Sequence, residues 1–156
     1  MKKVKLLFIL ISVLFSTGCS SVSKSGWQYF PDVATSFSIK IGEVNVTIDR
    51  VKETDFGAQI GQIVESMILC DKSITNVELI LEVTVNQRSY YEDIKQYNSI
   101  YVYYTLKDTN LNQVYLKNGL YIKTTDSIAS SKLQYKITEQ ITDSVNEFVQ
   151  SAAKVK

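Results

Sequence analysis

The sequence predicts an α+β fold: a two-layer sandwich of a mostly antiparallel sheet with two helices on one face, in the order β-α-β-β-β-α. Three consecutive segments, "NVELILEVTVNQ", "SIYVYYTLKD" and "QVYLKNGLYIKT", alternate apolar and polar residues with period two, as strands with one buried face do. Two others, "TDFGAQIGQIVESMILCD" and "SKLQYKITEQITDSVNEFVQSAA", carry apolar residues at helical spacing on one side only. One-faced strands and one-faced helices bury their apolar sides against each other, and that makes two layers.

The elements follow in chain order. "FSIKIGEVNVTI" alternates, but Phe37, Ile39 and Ile41 share one parity while Val44, Val46 and Ile48 share the other. A slip at Gly42 predicts a bulge or a turn there. The first helix carries Phe56, Ile60, Ile63, Val64, Met67 and Ile68, with Thr54 or Asp55 as N-cap. Gly57 and Gly61, four apart, let it sit near the sheet. The next strand turns Val77, Leu79, Leu81, Val83 and Val85 inward and Glu78, Glu82, Thr84 and Asn86 outward. Ile100, Val102, Tyr104 and Leu106 face inward on the following strand. The turn-rich "DTNLN" leads to an inward set of Val114, Leu116, Leu120 and Ile122. The last helix shows a stripe of Leu133, Ile137, Ile141, Val145, Phe148, Val149 and Ala152, and Ser131 with Gln134 has capping-box spacing. Consecutive strands of this kind pair as an antiparallel meander.

The chain opens differently. Lys2, Lys3 and Lys5 precede an apolar run from Leu6 to Phe15, and the small residues Ser16, Thr17 and Gly18 lead into Cys19. A membrane-spanning helix needs roughly 20 apolar residues, about twice this run. Charge, short apolar segment and small-residue exit are those of a cleaved secretory leader. The stretch resembles the lipobox of bacterial lipoproteins, although Ser16 stands where leucine is commonest. That resemblance implies cleavage between Gly18 and Cys19, acylation of Cys19 and anchoring in a membrane through it. An ordinary leader with a cysteine near its cut site is the plainer alternative. Ser20 after the cysteine resembles the signal that sends such proteins to the outer membrane, facing the periplasm. The organisation expected is a leader at 1–18, the lipidated cysteine and a flexible tether at 19–26, and one α/β domain at 27–156. "WQYFPD" begins that domain with Trp27 buried, or else touches the membrane surface beside the anchor.

Composition narrows the chemistry. Loss of the three leader lysines takes the formal net charge from +1 to −2, which leaves no basic footprint for nucleic acid. The chain has no histidine, excluding Ser-His and Cys-His nucleophiles and His-containing zinc sites. No phosphate loop, dinucleotide turn or calcium-loop spacing occurs, so neither cofactor nor metal is expected. With Cys19 acylated, Cys70 has no internal disulfide partner and is expected to pack as a small apolar residue. Glu78 and Glu82 make a tempting acid pair, but four strand residues set their origins about 13 Å apart. That exceeds the roughly 5–9.5 Å between paired glycosidase carboxylates. The expectation is a protein that is not an enzyme.

A candidate binding face comes from the outward parity: Tyr101 and Tyr103, then Tyr115 and Tyr121, with Lys107 and Lys117 between them. Interleaved tyrosines and lysines suit a protein, glycan or lipid headgroup, and equally a solvated face held by cross-strand aromatic pairs. The twelve residues from Gln87 to Asn98 either extend both strands as a twisted hairpin or form a binding loop with Tyr90, Tyr91 and Tyr97 as contacts. The order of elements, with "VELILEVTV", "VYYTLKDTNLNQVYLKNG" and a terminal amphipathic helix, resembles small envelope lipoproteins of the LPS-assembly, ABC-transport auxiliary and penicillin-binding-protein activator types. The resemblance implies a non-catalytic accessory subunit with an envelope protein partner; a glycan- or lipid-binding module is the alternative.

Overall fold

The structure, a computed structural model, describes residues 21–32, 35–68, 77–108 and 110–154. The leader, Gly18, Cys19, Ser20 and Cys70 lie outside them. The elements are β1 (Ser21–Gln28), β2 (Phe37–Ile48), β3 (Val51–Lys52), α1 (Thr54–Met67), β4 (Val77–Glu92), β5 (Lys95–Asp108), β6 (Gln113–Thr124) and α2 (Ser131–Ala152). They form a mixed α+β fold, one six-stranded sheet in the order β1-β6-β5-β4-β2-β3 with two helices. Neighbouring strands are antiparallel except β2 and β4, which run parallel. A parallel pair needs a long crossover, and here α1 lies within the connection between the two.

Alternation decides the layers. Leu79, Leu81, Val83 and Val85 of β4 and Ile100, Val102, Tyr104 and Leu106 of β5 are all buried. They share one hydrophobic cluster with Ile60 and Val64 of α1 and with Leu133, Ile137, Ile141, Val145, Phe148 and Ala152 of α2. Both helices therefore cover the same face. Fully burying one such side chain contributes about 1.5–3 kcal/mol, so this row outweighs any polar contact on the other face. The slip at Gly42 is a bulge: Ile41 pairs with Leu81 but Val44 with Val83, so β2 spends one residue more than β4. The extra residue returns Val44, Val46 and Ile48 to the core side, where they pack. Gly57 serves the close approach expected of it, since a Cβ there would lie 2.5 Å from the Val44 carbonyl oxygen.

Several expectations need correction. Residues 21–28, expected within or just after a flexible tether, form β1 and pair with β6 from Ser21↔Lys123 to Gln28↔Leu116. Every residue of β1 is exposed, so no buried face writes an alternating pattern into its sequence. Lys24 and the serines suit such an edge. Trp27 is accordingly 49% exposed rather than buried. Its neighbours Tyr29 and Phe30 do join the fold, Tyr29 5.7 Å from the Tyr115 ring and Phe30 stacked 5.6 Å from Phe148. The cap of α1 is Glu53, one residue before Thr54, and no side chain caps it. The capping box at Ser131 and Gln134 does not form. Ser130 is the N-cap, and Gln134 Nε2 instead donates to the Ile128 carbonyl at 2.9 Å.

Gln87 to Asn98 is a twisted hairpin, not a separate loop. The β4–β5 pairing runs unbroken from Ile80↔Lys107 to Glu92↔Lys95, and Asp93 turns the chain at φ 56°. Gln87 and Asn98 continue the inward rows and are buried. A buried amide costs free energy unless hydrogen-bonded, and here every side-chain polar atom of both residues has a partner. Gln87 Nε2 donates to Asn98 Oδ1 at 3.3 Å, Gln87 Oε1 accepts the Ile128 N–H at 2.7 Å, and Asn98 Nδ2 donates to the Asp126 carbonyl at 2.9 Å. Together they tie the hairpin to the segment that launches α2.

Leu81→Ala should cost about 2–5 kcal/mol in denaturant unfolding as a core truncation. Glu82→Ala should cost at most about 1 kcal/mol, because it removes only a partly exposed ion pair with Lys107. Equal losses at the two positions would contradict the burial described.

Candidate functional site

The side of the sheet away from the helices presents Thr84, Asn86, Arg88, Tyr90 and Glu92 on β4 and, opposite them, Tyr103, Tyr101, Ser99, Tyr97 and Lys95 on β5. Lys117, Gly119, Tyr121 and Lys123 of β6 lie beyond, facing Thr105, Tyr103, Tyr101 and Ser99. At one end lysines neutralise glutamates: Lys40 reaches Glu78 at 2.8 Å, and Lys107 pairs with Glu82. The two carboxylates of the tempting acid pair are thus each held by a different lysine.

At the other end Lys123 is caged. Its Nζ lies 2.8 Å from Glu92 Oε2, 5.0 Å from the Tyr97 ring centroid and 5.7 Å from that of Tyr90. The Tyr90 and Tyr97 rings stack 6.0 Å apart. The hydrogen bond to Glu92, followed by that to Tyr90, raises the Lys123 pKa above the ordinary lysine value. Of the three tyrosines expected on a binding loop, Tyr90 and Tyr97 are therefore occupied within the hairpin. Tyr91, on the opposite face from Tyr90, is 71% exposed.

Between these ends the face is open. Tyr101 and Tyr121 lie 5.0 Å apart between ring centroids, and the Tyr121 hydroxyl is 3.4 Å from Ser99 Oγ. Tyr103 is 53% exposed and its ring lies over Gly119, where an added Cβ would sit 3.4 Å from the ring edge. An aromatic ring covering a cross-strand glycine keeps the sheet backbone protected at that point. Tyr101, Tyr103, Tyr121 and Lys117 thus share the outer face as expected.

Tyr115 does not. The β5–β6 register shifts between Leu106↔Leu116 and Lys107↔Val114, leaving Tyr115 as the extra residue. The bulge turns it inward, 6% exposed, with ring centroids 5.4 Å from Phe37 and 6.3 Å from Phe148. Burial first, then the Asp108 charge, raises its phenol pKa. Val114, expected inward, is only half-buried and stands opposite the outward Lys107.

A concavity of about 430 Å³ opens on the outer face beside the tyrosines. Thr47, Arg50, Asn86, Gln87, Arg88, Tyr101 and Tyr103 line it. Its volume falls in the roughly 300–1,000 Å³ range of small-ligand sites. Arg50 and Arg88 are the two arginines of the chain, and sequence reasoning passed over both. They sit far apart in the sequence, and neither lies in a run of basic residues.

The β2–β3 turn brings them together. Ile48 pairs with Val51, so Asp49 and Arg50 alone make the turn, both with positive φ, 48° and 75°. Such a turn matches strand twist but favours Asn and Gly over other residues. Here Asp49 holds it to β4: its N–H donates to the Gln87 carbonyl at 3.0 Å and its Oδ1 accepts the Ser89 N–H at 2.7 Å. These two contacts straddle Arg88, which places Arg50 beside it. The Ser89 hydrogen bonds lower the Asp49 pKa below its usual 3.8. Thr47 Oγ1 donates to Asn86 Oδ1 at 2.6 Å, so the Asn86 amide N–H groups remain as donors. Among the described residues neither arginine has a carboxylate within ion-pair distance, and no group of three His, Cys, Asp or Glu side chains converges. A smaller concavity of about 280 Å³ lies on the helix side, between β1 and α2, with Lys24, Asp143 and Glu147 in its lining.

Neither a family model nor a curated protein sequence matches the chain. Among solved structures it is similar to the PelC dodecamer from Paraburkholderia phytofirmans, in two crystal forms. The matches have 10% identity, TM-scores of 0.40 and 0.42, and cover 83% of this chain and 97% of that one. A likeness that distant carries nothing about activity, and no helix among the described residues is long and apolar enough to cross a membrane.

Asp49 should titrate below 3.8 in a carboxyl-detected NMR pH series. A carboxylate whose folded pKa is depressed stabilises the fold above its unfolded pKa, and that contribution is lost as pH falls through the folded value. The Ser89 amide signal should therefore shift in step with the Asp49 carboxyl as the pH is lowered, and Asp49→Asn should abolish that step.

Proposed function

We propose that this protein is a non-catalytic accessory subunit of the bacterial cell envelope. It is anchored by an acylated Cys19 and binds its partner through the outer sheet face. The observation that supports this most is the asymmetry of the sheet. Two helices bury one face, whereas the other leaves Tyr101 and Tyr103 exposed around a concavity. Aromatic anchors of this kind concentrate binding energy at protein surfaces. The leader and the residues around Cys19 support the anchor, since two or three acyl chains hold a protein stably where one does not. Ser20 supports an outer-membrane location facing the periplasm. A second reading, a glycan- or lipid-binding module, is favoured by the same concavity, because a flat protein-docking face would not require one.

The anchor is checked by Cys19→Ser, which should release the domain from the membrane fraction or leave an uncut precursor. Mass spectrometry of the parent chain should find acylation at Cys19, and an unmodified amino terminus elsewhere would refute the anchor.

The face is checked by replacing Tyr101 and Tyr103 together with Ser. Capture of envelope proteins in a cross-linked pull-down should fall by about 30-fold in affinity, the equivalent of ~2 kcal/mol at an interface anchor, with the unfolding transition retained. A variant that folds and captures every partner of the parent would show the face to be merely solvated.

A further inference from the structure

We infer that the concavity between the β2–β3 turn and the β4–β5 pair binds an acidic saccharide, with Arg50 and Arg88 recognising its carboxylate. This rests on the reading of the outer sheet face as the binding surface and names the chemistry it takes. The guanidinium groups are the first reason. Both arginines of the chain line this one concavity, and no carboxylate among the described residues neutralises them. The nearest acid in sequence, Asp49, is engaged by the Ser89 N–H. A guanidinium is a planar fork of donors matched to a carboxylate or a phosphate, and it binds either more strongly than a neutral donor does.

The second reason is the position of Arg50. Its φ of 75° is one that a side chain with a Cβ adopts at a cost and glycine adopts freely. The Asp49 contacts to Gln87 and Ser89 hold the turn in that strained form against β4. Backbone strain held in place by surrounding contacts, at the rim of a concavity, is a feature of ligand sites.

The remaining lining selects among anions. Inorganic phosphate needs no aromatic wall, and the acyl chains of a phospholipid need an apolar slot that Thr47, Asn86 and two arginines do not make. A sugar acid uses all of it. Its ring offers C–H faces to Tyr101 and Tyr103, its hydroxyls meet the Asn86 amide and Thr47, and its carboxylate meets the arginines.

The test uses the full chain in detergent, titrated calorimetrically with a linear tetramer of uronic acid units, a neutral tetrasaccharide and inorganic phosphate. The uronate should bind about tenfold or more tightly than the neutral sugar, and its affinity should fall as salt rises. Arg50→Gly is the decisive variant. It should keep or raise the melting temperature, because glycine relieves the positive φ, while lowering uronate affinity about tenfold or more through loss of one charge-assisted fork. Arg88→Lys, which keeps the charge and loses the fork, should also weaken binding. Equal binding of neutral and acidic sugars, full affinity in Arg50→Gly, phosphate binding as tightly as the uronate, or no saccharide binding at all would each overturn the inference. The two readings fail separately: partner capture that still depends on Tyr101 and Tyr103 without uronate binding leaves the face standing and removes only its acidic ligand.

Discussion

Nearly everything in this molecule depends on the inward row of β4. That strand pairs in parallel with β2 on one side and antiparallel with β5 on the other, and Leu79, Leu81, Val83 and Val85 lie beneath the helices. A slip of one residue would exchange this row for Glu78, Glu82, Thr84 and Asn86. Burying those without partners would cost several kcal/mol, so the register is set by hydrophobic burial before any turn or ion pair acts. The outer face follows by exclusion. It holds what the core rejected, and its tyrosines and charges pair among themselves at both ends, through Lys107 with Glu82 and Lys123 with Glu92.

Irregularity is confined to places where a strict alternation could not serve both neighbours. The extra residue of β2 near Gly42 keeps Val44 and Val46 on the core side after the phase of the sequence has changed. The extra residue of β6 has the opposite consequence for function, because it takes Tyr115 off the outer face and inserts it between Phe37 and Phe148. A bulge of either kind inserts one unpaired residue and bends its strand, but only the first left a visible slip in apolar parity. In "QVYLKNGLYI" Val114, Leu116, Leu120 and Ile122 keep one parity throughout, so the pattern itself put Tyr115 outward and gave no sign of the bulge.

The concavity arises from tertiary contact rather than from any local motif. Asp49 and Arg50 belong to a turn about forty residues from Ser89, and a carboxylate-to-backbone hydrogen bond joins them. With the Asp49 N–H bond to the Gln87 carbonyl, that contact places the only two arginines on one rim, beside tyrosines from β5. A site assembled from three separate stretches of chain, with no two of its charged residues near each other in sequence, has no spacing to recognise.

The sequence by itself determined the two helices, the three central strands and, apart from Val114 and Tyr115 at the β6 bulge, the face each turns inward, because period and parity record burial directly. It also determined that Tyr101, Tyr103, Tyr121 and Lys117 share a face, since they alternate in phase with Ile100, Val102, Leu120 and Ile122 on straight strands. The tertiary structure decided the rest. β1 is a strand only because β6 offers it an edge, and its eight exposed residues carry no apolar pattern. Gln87 and Asn98 read as the ends of a loop until the core closed over them and Ile128 supplied a partner. Arg50 and Arg88 met because of a strand pairing and two hydrogen bonds of Asp49 to β4. Local periodicity reports which side of an element is buried, and it is silent on which distant residues burial brings together.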